Sequence, residues 1–408
     1  MAQSPVSPHR LASNAPLLWL ALGTFAVGTE SFMIAGLLPG MAADLGVSVA
    51  RAGQLVTVFA LAYALGSPLL TVLTGRIPRR ALLIGAMLCF AAGNLVAALT
   101  DNYWQLMAAR VLLAFAAGLY VPGANALAGT VVAPERRGTA IAIVNGGLSL
   151  AIAFGVPLGT VLGGGAGWRA TFAAVAVLAA LAAAGLVFGL PRHFGAGMAV
   201  PGLAQRLKAA SSPAVFSALL VTTFWAMASY TTYTYLAPLL ASATTVQGAA
   251  VGAVLFAWGA AAVLGLAISA RLVDRRGPAA VILPALLLST LSFLLISSSA
   301  HLLDQQHALA PIVVAVIAWG VGHWAFFPAQ QTSLVAAGGV GAAPVVLSLN
   351  ASFMYAGFSL GAALGALVSA HGAVANLGFA SAACISVAIG LTLLRRRYFA
   401  SPLSTIAA

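Results

Sequence analysis

Twelve apolar stretches follow one another along this chain, separated only by short polar breaks. They lie at about 16–38, 53–74, 81–99, 104–130, 138–164, 170–190, 213–240, 246–270, 279–299, 309–336, 342–370 and 373–394. A helix that crosses the hydrocarbon core of a bilayer needs about 20 such residues. Lipid cannot satisfy loose backbone N–H and C=O groups, and each stretch far exceeds the roughly ten residues of a barrel strand, so the stretches read as helices. The first is too long for the apolar core of a secretory signal. Composition agrees, since 62% of the 408 residues are hydrophobic and 6% are charged, against about 25% charged in a soluble domain. The expected fold class is an all-α membrane protein with twelve transmembrane helices.

Cations set the expected orientation, because Lys and Arg in short loops stay on the cytoplasmic side. With the N-terminus inside, that side holds Arg10, Arg76, Arg79, Arg80, Arg136, Arg137, Arg192, Arg206, Lys208, Arg271, Arg275, Arg276, Arg395, Arg396 and Arg397, whereas the outer loops hold Arg51 and Arg169. Both termini are therefore expected in the cytoplasm. A net charge of +12 would suggest nucleic acid in a soluble protein, but cations spread over the loops of one membrane side are what topology demands, and no nucleic-acid partner is expected. Cys89 and Cys384 sit inside apolar stretches and read as small core fillers. The six histidines show no metal-ligand spacing, and no cofactor is expected.

The two halves resemble each other. The longest polar break, Pro191 to Pro213, reads as a linker, with Leu203 to Ala210 able to form an amphipathic helix on the inner face. Residues 1–190 and 213–408 are the expected six-helix units, joined by a cytoplasmic linker at 191–212. Across it, Thr74-Gly75-Arg76-Ile77-Pro78-Arg79-Arg80 after the second span matches Val273-Asp274-Arg275-Arg276-Gly277-Pro278 after the eighth. Gly155, Gly159 and Gly163 in the fifth span match Gly357, Gly361 and Gly365 in the eleventh. Two pseudo-symmetric six-helix bundles around a midplane site are the architecture of a rocking transporter. Glycines four apart let a neighbouring helix approach closely, which serves tight packing and a moving interface alike. Pro157 removes one helix hydrogen bond and should kink the fifth span.

Glu30 is the one acid inside a span; Asp44, Asp101, Glu135, Asp274 and Asp304 all fall between spans. An ionisable group in hydrocarbon is costly and marks a proton or substrate pathway by default. At 1.5 Å per helical residue, Glu30 lies roughly 12 Å and Arg110 in the fourth span roughly 10 Å from the outer edge. Burial favours the neutral carboxyl and a nearby guanidinium favours the carboxylate, a balance that water access can tip. The alternative is a fixed structural ion pair, buried because neither charge can be buried alone. Cavity candidates are Tyr63, Tyr120, Asn125 and Asn145 in the first half, and Tyr230, Tyr233, His323, Gln330, Asn350 and Tyr355 in the second. Trp225, Trp258 and Trp324 accompany them. Aromatic faces with a few polar tips suit amphipathic organic compounds, although any one of these residues can equally be packing, and His323 a hydrogen-bonded structural histidine.

The chain carries no metal cluster, paired catalytic carboxylates or nucleophile motif, so an enzyme is not expected. No nucleotide-binding motif supports ATP-driven pumping. Neither end is expected to leave room for a signalling domain.

The turn after the second span, Arg110, Gly155-Val156-Pro157-Leu158-Gly159 with Gly163 and Gly164, and Gly167-Trp168-Arg169-Ala170-Thr171-Phe172 together resemble the drug:proton antiporter group of the major facilitator superfamily. The first span, Gly28-Thr29-Glu30-Ser31-Phe32-Met33-Ile34-Ala35-Gly36-Leu37-Leu38-Pro39, is similar to bacterial arabinose and chloramphenicol exporters. The resemblance implies an inner-membrane exporter that exchanges a small molecule for protons, expected to act as a monomer in the lipid bilayer. It implies proton coupling at Glu30 and Arg110, and gating or packing roles for Arg76, Arg79, Arg80, Asp274, Arg275, Gly155, Pro157, Gly159 and Gly163. Sugars or nucleosides as cargo, and an uncoupled facilitator, remain alternatives. The first-half loop departs from the family pattern by carrying Gly75 and Pro78 where an acid and a glycine are usual. The second-half copy keeps Asp274 and Gly277.

Overall fold

The computed structural model describes residues 15–130, 132, 136–191, 194–195 and 202–399. Arg10, Glu135, Arg192, His9 and His193, and most of the first half of the 191–212 linker, lie outside them. Among the described residues there are twelve helices long and apolar enough to cross a membrane, and no strand. In order these spans are Ala15–Asp44, Val49–Leu73, Arg79–Leu99, Tyr103–Thr130, Arg137–Ala166, Trp168–Gly189, Pro213–Tyr233, Gly248–Arg276, Ala279–Leu302, Gln305–Gly338, Ala343–Ala370 and Val374–Tyr398. Leu203–Ala210 forms the short helix between the sixth and seventh.

Packing repeats between the halves. The first span packs on the fifth and sixth, the second on the fourth, and the third on the fourth and sixth. The seventh packs on the eleventh and twelfth, the eighth on the tenth, and the ninth on the tenth and twelfth. Adding six to each number of the first set gives the second, which is the pseudo-two-fold of two six-helix bundles. Between halves, the second span lies along the eleventh, and the end of the fifth lies against the eighth, again a symmetry-related pair.

Two spans are broken where hydropathy reads one run. The seventh was expected to continue to 240, but helix stops at Tyr233 and resumes as Leu236–Ala243. The break lets the buried Tyr235 ring wedge between spans: its hydroxyl donates to Ala362 O at 3.3 Å and occupies the space a Cβ on Gly53 would need. In the fifth span a π turn, Ala151–Gly155, precedes Pro157, and the Val156 N–H reaches back to Ala151 O. The wider turn absorbs the donor that proline removes, so the expected irregularity takes the form of a π bulge. Helices also outrun the apolar stretches, as in the eighth span, which continues to Arg276 with Arg275 and Arg276 in its last turn. Cations there meet the negative end of the helix dipole.

Small residues set how closely helices approach within each bundle. A Cβ on Gly155, Gly159 or Gly163 would meet Thr29, Thr171 and Met33, or Leu37 and Thr171, respectively. A Cβ on Gly357, Gly361 or Gly365 would run into the backbone carbonyls of Thr223, Met227 and Thr231. Both stripes therefore hold helices within one half. Glycines that face the other half lie on both sides: Gly259 and Gly252 of the eighth span abut Ile152, Pro157 and Val161 of the fifth, Gly164 of the fifth abuts Ala249, and Gly53 of the second meets Tyr235.

The contacts between halves are asymmetric along the bundle. Toward the arginine-poor end, the first span packs on Leu236–Ala243, and Val156–Ala166 packs on Gly248–Ala250. Toward the arginine-rich end, the first part of the fifth span, Arg137–Leu150, and the fourth span make no extensive contact with the tenth or eleventh. The halves thus close together at one end and part toward the other.

Candidate transport site

Where the halves begin to part, the first span presents Glu30 to the fourth. Both Glu30 and Arg110 have fully buried side chains, and Arg110 Nη1 donates to Glu30 Oε1. Arg110 Nε donates to Leu55 O at 3.3 Å, and its guanidinium lies 4.0 Å over the Phe59 ring. The pair uses one arm on each side: Glu30 Oε2 and Arg110 Nη2 are buried without a hydrogen-bond partner. A one-armed pair keeps one acceptor and one donor open in low dielectric, where an unsatisfied polar atom is expensive and a water, proton or ligand group is correspondingly attractive.

Aromatic rings close the space around this pair. Tyr63 of the second span stacks on Tyr355 of the eleventh with centroids 3.6 Å apart, and Tyr230 stacks on Phe358 at 3.8 Å. Tyr230 and Tyr355 lie near enough to Arg110 to interact with it electrostatically. Phe32 projects into the second half, with centroids 6.1 Å from Tyr230, 6.1 Å from Tyr233, 6.3 Å from Trp324 and 6.4 Å from Phe358. Two hydrogen bonds cross between the halves at this level: Tyr233 Oη donates to Phe32 O at 3.2 Å, and Ser359 Oγ donates to Thr57 O at 2.9 Å.

The remaining candidates fall elsewhere. His323 stacks on Trp225 at 4.1 Å, with its Nδ1 2.6 Å from Ser229 Oγ, which also accepts from Trp319 Nε1 at 3.0 Å. Gln330 donates to Ala218 O at 2.7 Å and to Thr222, whose hydroxyl donates to Asn350 Oδ1 at 2.8 Å, a buried network joining the seventh, tenth and eleventh spans. Tyr120 donates to Leu20 O at 3.1 Å, fixing the fourth span on the first. Asn125 is half-buried and donates to Val121 O, while Asn145 is exposed on the part of the fifth span that stands free of the second half. An open groove lies within the second half on the arginine-rich side, lined by Pro328, Gln331, Thr332 and Val335 of the tenth span and Leu347 of the eleventh.

Among the loop residues, Arg80 Nε donates to Leu190 O at 2.8 Å, tying the start of the third span to the end of the sixth. Arg79 is buried beneath Gly195, whereas Arg76, Asp274 and Arg275 are exposed. Asp274 makes no ion pair among the described residues. At the other end Arg169 joins three loops, reaching Asp44 Oδ2 at 2.8 Å and Asp101 Oδ1 at 2.6 Å, and Trp168 Nε1 donates to the same Asp44 oxygen at 3.0 Å. Sequence reading missed this clasp and Phe32. A loop acid looks like any solvated charge, and a phenylalanine in an apolar span looks like filler.

Twelve spans in two related bundles, with a buried charge pair at the level where they separate, define a multi-pass membrane transporter rather than an enzyme. The chain belongs to the Major Facilitator Superfamily, whose family model matches residues 20–353. It is 34% identical over 384 residues to the inner membrane transport protein YdhP of Escherichia coli (strain K12), covering 93% of this chain and 95% of that one. It is 34% identical over 387 residues to a chloramphenicol resistance protein of Streptomyces lividans, covering 92% and 94%. With an uncharacterized MFS-type transporter of Bacillus subtilis, YbcL, it shares 32% identity over 375 residues, 92% of this chain and 94% of that one. Among solved structures, the crystal structure of a peptide transporter POT superposes with a TM-score of 0.77 over 96% of this chain and 97% of that one. At 15% identity that likeness concerns the fold alone.

Proposed function

We propose that this chain is a proton-coupled exporter of small amphipathic organic compounds of the chloramphenicol kind. The observation that carries the reading is the fully buried, one-armed Glu30–Arg110 pair at the level where the halves part. The kinship to a chloramphenicol resistance protein supports export of such a compound. Residues 1–190 and 213–408 act as the two rocking units, with 191–212 as linker, and a single copy of the chain suffices. The arginine-rich end faces the cytoplasm of a bacterial inner membrane, with both termini there. On this assignment the groove near Gln331 and Val335 opens inward, and Asp274, free of an ion pair, fits an inner latch that is undone.

The cycle follows from the pair. With the inner side open, Glu30 is ionised and held by Arg110, and substrate enters among Tyr63, Tyr230, Tyr233 and Tyr355. Closure behind the substrate is followed by entry of a proton to Glu30 from the outer side. The neutral carboxyl releases Arg110 and weakens the site for substrate, and the proton leaves inward on return. Inward proton flow thereby drives export. In inverted vesicles with an imposed pH gradient, chloramphenicol should accumulate with the parent chain and not with Glu30→Gln. A panel of sugars and nucleosides in the same assay checks cargo class, and gradient-independent uptake by the parent would contradict coupling.

A further inference from the structure

Glu30 and Phe32 are two residues apart on one helix, so their side chains point roughly 200° apart around it. Glu30 faces its own half, on Arg110, while Phe32 faces the other, inside the ring formed by Tyr230, Tyr233, Trp324 and Phe358. The first span is thereby held from opposite sides at one level. Phe32 is 4% exposed, and its own carbonyl is gripped by Tyr233 from the second half. Beside it, the Tyr63–Tyr355 stack closes the gap between the second and eleventh spans. These contacts are the first seal above the open, arginine-rich side.

We propose that Phe32 is a positioning residue, an aromatic plug that converts loss of the Glu30–Arg110 pair into separation of the halves on the arginine-poor side. The proposal rests on the coupling role given to Glu30 above. While the pair is made, the first span is fixed in rotation and the plug is seated. Once Arg110 lets go, the ion pair that fixes this face of the helix is gone, and a small rotation or shift withdraws Phe32 from its ring. The titratable groups facing the pair are Tyr230 from the seventh span and Tyr355 from the eleventh, with Tyr63 of the second stacked on Tyr355. None of these bears charge near neutral pH, so the switch is carried by the carboxyl.

Spin labels at Gln54→Cys and Gln247→Cys, exposed at the arginine-poor end of either half, report this separation once Cys89 and Cys384 are replaced by Ala. Full-length protein in lipid nanodiscs should show a short distance that lengthens in Glu30→Gln. Phe32→Ala should lengthen it without any change at Glu30, Phe32→Leu should do so by less, and Tyr233→Phe, which removes only the grip on the Phe32 carbonyl, should shift in the same direction. Adding Phe32→Ala to Glu30→Gln should give no more than either alone, since both act through one seal. If Phe32→Ala and Tyr233→Phe both keep the parent distance, the plug is wrong. If they lengthen it while Glu30→Gln changes neither distance nor uphill transport, the plug holds the halves but the coupling reading of Glu30 fails, and with it the proposed link.

Discussion

Removing one member of the Glu30–Arg110 pair should cost far more stability than removing both. The two side chains have no exposed surface, which places them outside the class of surface pairs worth about 0–1 kcal/mol. A buried charge stripped of its partner costs about 3–5 kcal/mol, whereas replacing both by apolar groups is near neutral. The two single variants should differ within that range. Glu30→Gln leaves Arg110 with the Leu55 carbonyl and the Phe59 face, so about 3 kcal/mol is expected. Arg110→Met leaves Glu30 with no other donor, but a stranded carboxyl can take up a proton, so about 3–4 kcal/mol is expected at neutral pH. Glu30→Leu with Arg110→Met should return to within about 1–2 kcal/mol of the parent. Reversible unfolding in mixed micelles measures all four species. Single variants that each cost under about 1 kcal/mol and simply add in the double would refute the claim that the pair is desolvated and coupled.

Other outcomes follow from the packing and the loops. Gly361→Ala puts a methyl against the Met227 backbone rather than a movable side chain and should destabilise by about 1–3 kcal/mol in the same unfolding assay, while Gly390→Ala, with open space around it, should not. Arg169→Gln breaks both arms of the loop clasp to Asp44 and Asp101; partly exposed pairs should contribute about 1 kcal/mol or less each, and the loss should shrink in high salt. Asp304 caps the tenth span, accepting from the His307 N–H at 3.0 Å and the His307 ring at 2.6 Å, and these bonds hold its carboxyl below the usual carboxylate range. A depressed folded value means that the cap stabilises fully above the unfolded value of about 4 and is lost as pH falls through the folded one. Protection factors of the amides at 305–308, with exchange corrected for its intrinsic dependence on pH, should therefore fall only in acid, and Asp304→Ala should remove that fall.

How much of this was legible beforehand differs by element. The twelve spans could be read because length and apolarity alone define a helix in lipid; the short helix Leu203–Ala210 could be read as well, but not its facing, since Arg206 is buried and Leu207 exposed. Span ends were harder, since Pro39 to Asp44 and Arg271 to Arg276 continue helices beyond the apolar run. The break at Tyr235 falls just before Pro238, which cannot bond back to the Thr234 carbonyl, but hydropathy runs straight through it. Glu30 stood out because charge in hydrocarbon is rare, and a shared depth pointed to Arg110. The cavity candidates could be chosen by polarity but not grouped: Tyr230 and Tyr355 lie beside the pair with Tyr63 stacked on Tyr355, Tyr233 holds Phe32 on the opposite face of the first span, and Gln330 and Asn350 are consumed in a network with Thr222. Sequence carries no rotational phase between helices of different halves, and for the same reason Phe32 was unreadable.

Proton release on substrate binding tests the central claim most directly. Purified protein in weakly buffered solution, mixed with chloramphenicol, should release protons at a pH where part of the Glu30 population is protonated, and Glu30→Gln should bind more weakly and, even at concentrations that fill it, release none. Equal release from the parent and from Glu30→Gln would contradict the assignment of the coupled proton to this carboxyl.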